Sequence, residues 1–125
     1  VVPIDGSYYV ILKGPFKYEE AEAACKACGC NTQLAIFETQ REVDAVATYL
    51  NKINENNALW IGFKGAPSPS PTYVWNDINS TPVTFPVIPT GKSPRDECGS
   101  YDASKGLISE NCQSSRSAFC QVGTC

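Results

Sequence analysis

"LAIFETQREVDAVATYL", residues 34–50, is the stretch on which the reading of the fold turns. Within it Thr39-Gln40-Arg41-Glu42 has the form of a capping box. The Thr39 hydroxyl can accept from the Glu42 amide while the Glu42 side chain reaches back, which satisfies amides that a helix start leaves open. Behind the cap, Val43, Val46, Ala47, Leu50 and Ile53 recur at helical spacing and predict one apolar stripe. The asparagine-rich run 51–57 ends the helix.

Upstream, "YYVIL" (8–12) is aromatic and β-branched and predicts a strand, which Gly14-Pro15 is expected to break. Tyr18, Ala21, Ala24, Cys25 and Cys28 then return at helical spacing. Glu19, Glu20 and Glu22 fall in the first turns, where the helix dipole favours acids, and Gly29 is the expected stop. Downstream of Leu59 nothing has helical period. Short β-type pieces at 59–63, 72–75, 98–101, 106–109 and 118–122 are separated by proline and glycine. The insert "APSPSPT" (66–72) reads as extended or turn-like, because its prolines exclude regular hydrogen bonding. The expectation is one α+β domain over residues 1–125, without internal repeats.

Composition narrows the function. Ten basic residues against thirteen acidic ones, with no basic run, argue against a nucleic-acid surface. No apolar stretch approaches the ~20 residues that cross a bilayer. The start, Val1-Val2-Pro3-Ile4, lacks the features of a signal peptide and reads as a mature or trimmed N-terminus. Seven cysteines and no methionine point to an oxidising compartment, hence a secreted, extracellular protein. Asn79-Ser80-Thr81 is an N-glycosylation sequon, with Asn79 the acceptor, and it fits secretion.

These residues together resemble the C-type lectin-like domain over nearly the whole chain. Tyr18-x-x-Ala21-x-x-x-Cys25 is similar to the family's first helix with its first framework cysteine. The 34–50 segment resembles its Leu-Ala run into the second helix. "WIGF" (60–63) and "YVWND" (73–77) resemble its two tryptophan strands, which makes Trp60 and Trp75 core residues. Cys98, Cys112 and Cys120 match the remaining framework cysteines in order and spacing. The resemblance implies two helices packed on short antiparallel sheets with a long irregular loop region, and bridges Cys25–Cys120 and Cys98–Cys112. In the chain-entropy picture the longer loop contributes about 4–5 kcal/mol and the shorter roughly 3.

In sugar-binding members a calcium ion in the long-loop region bridges protein oxygens to sugar hydroxyls, and calcium takes six to eight oxygen ligands. The family supplies them as Glu-Pro-Asn or Gln-Pro-Asp, an acid ahead of the third framework cysteine, and Asn-Asp of a Trp-Asn-Asp before the fourth. In this sequence Ile88-Pro89-Thr90, Asp96 and Leu107-Ile108-Ser109 fall on those positions. Only Asp96 keeps a carboxylate. Pro89 keeps the scaffold, with the family's cis bond expected there. Trp75-Asn76-Asp77 spells the ligand motif but precedes Cys98, so packing plus a turn is its expected role. Asp96 and Glu97 beside Cys98, with Glu110 and Asn111 beside Cys112, form a weaker candidate set. Alternating strand residues point to opposite faces, so all four cannot converge.

Cys28, Cys30 and Cys125 stand outside the family framework. "CKACGC" (25–30) is not read as zinc or redox chemistry, since the chain has no histidine and Cys25 belongs to the framework. The family's last strand pairs with its first, which brings Cys125 toward the end of the first helix and implies a third bridge to Cys30 or Cys28. An odd thiol is then left, and a disulfide-linked or non-covalent homodimer stays open.

Without histidine there is no Ser-His or Cys-His pair, and no glycine loop cradles a phosphate, so no catalytic residue is assigned. The expectation is a recognition module for a protein or glycan that needs no cofactor. Pro89, Thr90, Lys92, Arg95 and Asp96 are the candidate ligand-binding loop, beside the proline-rich insert. Two alternatives remain: a calcium-dependent lectin with a non-standard site, and a structural protein that adsorbs to ice or mineral.

Overall fold

The computed structural model describes residues 1–66, 72–89 and 97–123. In chain order the elements are β1 (Val2–Ile4), β2 (Ser7–Phe16), α1 (Tyr18–Ala27), β3 (Gln33–Leu34), α2 (Gln40–Lys52) and β4 (Leu59–Ala66). They continue with β5 (Thr72–Trp75), β6 (Val87–Pro89), β7 (Glu97–Asp102), β8 (Gly106–Glu110) and β9 (Arg116–Val122). One sheet runs β1-β2-β9-β4-β7-β8-β6, with β3 added to β9 and β5 to β4. Most pairs are antiparallel; β4 with β9 and β6 with β8 are parallel. Two helices on a mixed sheet make the α+β fold expected from the sequence.

Both helices form where their end signals stand. Thr39 Oγ1 accepts from the Glu42 amide at 3.2 Å, and Val43, Val46 and Leu50 bury the stripe behind it. In α1 the Lys17 amide donates to Glu20 Oε1 at 2.8 Å, an N-terminal contact that the sequence reading missed. Gly29, at φ +76°, turns the chain out of that helix.

The sheet separates two cores. Against α2 lie Tyr9, Phe37, Leu50, Ile61, Phe63, Trp75, Tyr101 and Phe119. The Tyr9 and Phe119 rings stack at 5.0 Å between centroids. On the other side Tyr18, Ala21 and Cys25 of α1 pack with Leu34, Trp60, Cys98, Ala118 and Cys120. Cys25–Cys120 ties α1 to β9 through this second core, and Cys98–Cys112 ties β7 to the turn after β8. Both framework bridges are those the resemblance implies.

Three sequence readings need correction. β2 does not stop at Gly14-Pro15 but reaches Phe16, with its register against β9 shifting between Leu12 and Phe16. The Gly14 amide donates to Ser117 Oγ at 3.0 Å, so the irregular stretch stays tied to β9. The cis bond expected before Pro89 is absent; among the described residues the cis bond is Gly14-Pro15. Val87–Pro89 pairs residue for residue with Leu107–Ser109, so its backbone is simply extended. Finally β1, β3 and β6, only two or three residues each, were not anticipated, because so few residues carry no readable alternation.

Candidate functional site

The end of the sheet formed by β6, β7 and β8 carries the positions where the sequence placed a binding loop. Register sorts its side chains. Cys98 faces Glu110 and Ser100 faces Ile108, so these four share one side; Gly99 faces Ser109, so Glu97, Gly99 and Ser109 share the other. Gly99 is required there: a Cβ would stand 2.2 Å from the Phe63 ring.

Glu110 is buried and engaged through one carboxylate oxygen. Its Oε2 accepts from the Ser100 hydroxyl and from Arg116 Nε at 2.7 Å. Glu97, on the opposite side, is 3% exposed, and neither carboxylate oxygen has a hydrogen-bond partner among the described residues. Asn111 is exposed, and its Oδ1 accepts the Gln113 amide at 2.8 Å within a turn. The candidate acids around the Cys98–Cys112 bridge are therefore divided by the sheet, as side-chain alternation predicts.

At the family's ligand positions, Ile88 is 43% exposed and Ile108 is 8% exposed, and neither offers an oxygen from its side chain. Pro89 is exposed at the end of β6. Thr90, Lys92, Arg95 and Asp96 lie outside the described residues, as does most of the proline-rich insert. The described oxygens at this end do not make a six- to eight-coordinate calcium shell. Among the described residues no group of three or more histidine, cysteine, aspartate or glutamate side chains is placed to hold a metal ion.

Trp75-Asn76-Asp77 takes the packing and turn role. Trp75 meets Phe37, Phe63 and Phe85 edge-on. Asn76 Nδ2 donates to the Tyr18 hydroxyl at 2.8 Å, and that hydroxyl donates to the Ile61 carbonyl at 2.9 Å. Burial pushes the Tyr18 hydroxyl far above the usual tyrosine range. Trp60 is buried, and its Nε1 donates to the Phe16 carbonyl at 2.8 Å. The three hydrogen bonds were not legible from spacing, since each joins residues more than forty positions apart.

A second concavity went unread. A cleft of about 720 Å³ lies beside the first turns of α1, Lys64 and the Cys98–Cys112 bridge. At its edge Lys64 Nζ stands 3.3 Å from Glu22 Oε1 and 5.2 Å from the Tyr18 ring centroid. Of the extra cysteines, Cys30 is disulfide-bonded and Cys28 is an exposed free thiol, while Cys125 lies outside the described residues.

The family model for the lectin C-type domain matches residues 15–122. The chain belongs to the C-type lectin domain family. Among solved structures, the calcium-independent C-type lectin SPL-2 from Saxidomus purpuratus superposes with a TM-score of 0.73. It is 21% identical, with 96% of this chain and 88% of that one covered. Ovocleidin-17, described as a major protein of the Gallus gallus eggshell calcified layer, gives 0.71 at 20% identity, over 98% and 95% of the two chains. SPL-1, in a complex with GlcNAc, gives 0.72 at 18% identity, over 95% and 89%. At these identities the likeness establishes the C-type lectin fold alone. Among curated proteins none matches the sequence.

Proposed function

We propose that this C-type lectin domain is a secreted, non-catalytic recognition module that binds a protein or glycan without calcium. The observation that carries the reading is the engagement of Glu110. Its carboxylate, the acid nearest the family's Asn-Asp position, is held by Ser100 and Arg116 on the side of the sheet away from Glu97. Recruiting it as a metal ligand would break two charge-assisted contacts and strand the Arg116 cation. Isoleucines at 88 and 108 supply no side-chain oxygen. Support for secretion comes from the two framework bridges and the bonded Cys30, since such bridges persist in oxidising compartments.

The ligand surface on this reading is the β6–β8 end around Pro89, continuing into Thr90, Lys92, Arg95 and Asp96. SPL-2, a calcium-independent lectin of the same fold, is the precedent for such recognition. The test is calcium titration of the oxidised protein by calorimetry, with melting curves in calcium and in chelator. Absence of heat and an unmoved Tm support the proposal. A dissociation constant at or below the millimolar range with a chelator-sensitive melt overturns it.

One observation favours the second reading, a calcium-dependent lectin with a non-standard site. The Glu97 carboxylate is buried with both oxygens unpartnered among the described residues, and burying such a group without compensation is expensive. A cation beside Glu97 would relieve that cost. In the same titration Glu97→Gln abolishes calcium binding on the second reading and leaves the blank trace unchanged on the first.

A further inference from the structure

Asn79-Ser80-Thr81 belongs to the turn that leaves β5, between Trp75 and an isolated bridge from Val74 to Pro82. All three residues are exposed, and Ile78 just before them is 98% exposed. An acceptor asparagine in this place faces outward. Its recognition residue, however, is tied down. The Thr81 amide donates to Asp77 Oδ1 at 2.8 Å, and the Thr81 hydroxyl donates to Asp77 Oδ2. The Thr81 carbonyl accepts the Trp75 amide at 2.8 Å, and the Ser80 amide donates to the Asp77 carbonyl at 3.2 Å. Ser80 itself sits in the left-handed region at φ +48°.

We propose that Asn79 is an N-glycosylation site used only while this turn is unformed, and that Asp77 closes it once the chain folds. The proposal rests in part on the reading of the chain as secreted, because the donor is a polyprenyl-diphosphate-linked oligosaccharide of the secretory pathway. In the transfer, Asn79 Nδ2 bonds to the anomeric carbon of the sugar. The bond from that carbon to the diphosphate oxygen breaks, and the diphosphate leaves with the bonding pair. One amide proton passes to a base of the transferase.

The transferase recognises an N-x-Ser/Thr sequence through the hydroxyl two residues beyond the asparagine. In the folded turn that hydroxyl is already given to a carboxylate, an interaction stronger than one between neutral partners. Thr81 also holds Asp77: its hydroxyl and amide keep the Asp77 carboxyl below the usual carboxylate range, so the clamp is charged at any physiological pH. The left-handed Ser80 and the bond to Trp75 further oppose the extended shape an enzyme groove would accept. Occupancy of Asn79 is thus set by a race between sugar transfer and closure of the Asp77–Thr81 turn.

The experiment presents a purified oligosaccharyltransferase and its lipid-linked donor with four full-length substrates, read by intact mass. These are the reduced unfolded chain, the folded oxidised chain, and folded Asp77→Ala and Asp77→Asn variants, with unfolded Asn79→Gln as the blank. The unfolded chain should gain one glycan and the blank none. Folded wild type should react more slowly by about tenfold or more, the scale of one hydrogen bond to a charged group. Folded Asp77→Ala should regain most of the unfolded rate, and Asp77→Asn, which keeps an acceptor oxygen, should fall between. Near-ultraviolet circular dichroism identifies which variants are folded, and Asp77→Asn carries the comparison if Asp77→Ala is not. An unmodified unfolded chain, a folded wild type as reactive as the unfolded one, or a folded Asp77 variant no faster than wild type would each overturn the proposal. Because the enzyme is supplied directly, failure here is separable from failure of secretion or of ligand binding.

Discussion

Arg116 Nε lies 2.7 Å from Glu110 Oε2, and the two side chains are only 31% and 9% exposed. This pair sits where the last strand begins and engages one of the candidate acids beside Cys112. Removing the cation alone leaves a buried carboxylate with only the Ser100 hydroxyl. Arg116→Met is expected to lower stability by roughly 3 kcal/mol, whereas Arg116→Met with Glu110→Leu should recover most of that loss. Urea unfolding of the single and double variants checks both values.

Gly99 packs its backbone directly under the Phe63 ring. A methyl group would have to enter at 2.2 Å, and Phe63 is itself wedged edge-on against Tyr73 and Trp75. Gly99→Ala should cost about 1–3 kcal/mol, the usual range for overpacking. Combining it with Phe63→Leu should give a smaller total than the sum of the two single changes. A melting series over the cycle reads the coupling.

Alkaline stability should depend on Tyr101. Its hydroxyl donates to the Val43 carbonyl, and its pKa is pushed up to about 12, mainly by burial and then by Asp44 and Asp102. The folded state therefore keeps a proton that the unfolded chain releases near pH 10. Tyr101 stabilises fully below pH 10, and its contribution falls as pH rises from about 10 to about 12. Tyr101→Phe should flatten the decline in Tm across that window relative to wild type.

The thiols should separate cleanly by reactivity. Cys28 is exposed and free at the end of α1, whereas Cys25, Cys98, Cys112 and Cys120 are bridged. Iodoacetamide added to the folded protein should label Cys28 and none of those four, as peptide mass mapping would report. Labelling of Cys98 or Cys112 would mean that their bridge is not formed in solution.

The sequence was most informative where a local signal fixes a local structure. Thr39 and Glu42 announced α2, Gly29 announced the end of α1, and the family resemblance implied both bridges. Its errors at Gly14-Pro15 and Pro89 share a cause: proline restricts its own backbone, but a partner strand decides whether the chain goes on pairing. The candidate site was legible only as a deficit. Isoleucines at positions 88 and 108 revealed which oxygens are missing, while alternation foretold that the four candidate side chains could not all converge. What Glu110 does instead depends on Arg116, and the cleft beside Lys64 depends on α1 meeting β4. No pattern within either segment encodes those long-range meetings.

The placement of β9 also bears on the order of events during synthesis. This strand pairs with β2, β3 and β4 and contributes Cys120 to the bridge with Cys25. Until residue 122 has left the ribosome, β2 and β4 lack the strand that joins them in the sheet, and the Cys25 thiol waits without its mate. The domain must therefore close in a late, concerted step after the helices have had time to form, as expected for a topology dominated by distant pairings. During that interval Cys25 shares one short segment with Cys28 and Cys30, so correct pairing depends on its thiol being kept from those two neighbours until β9 arrives.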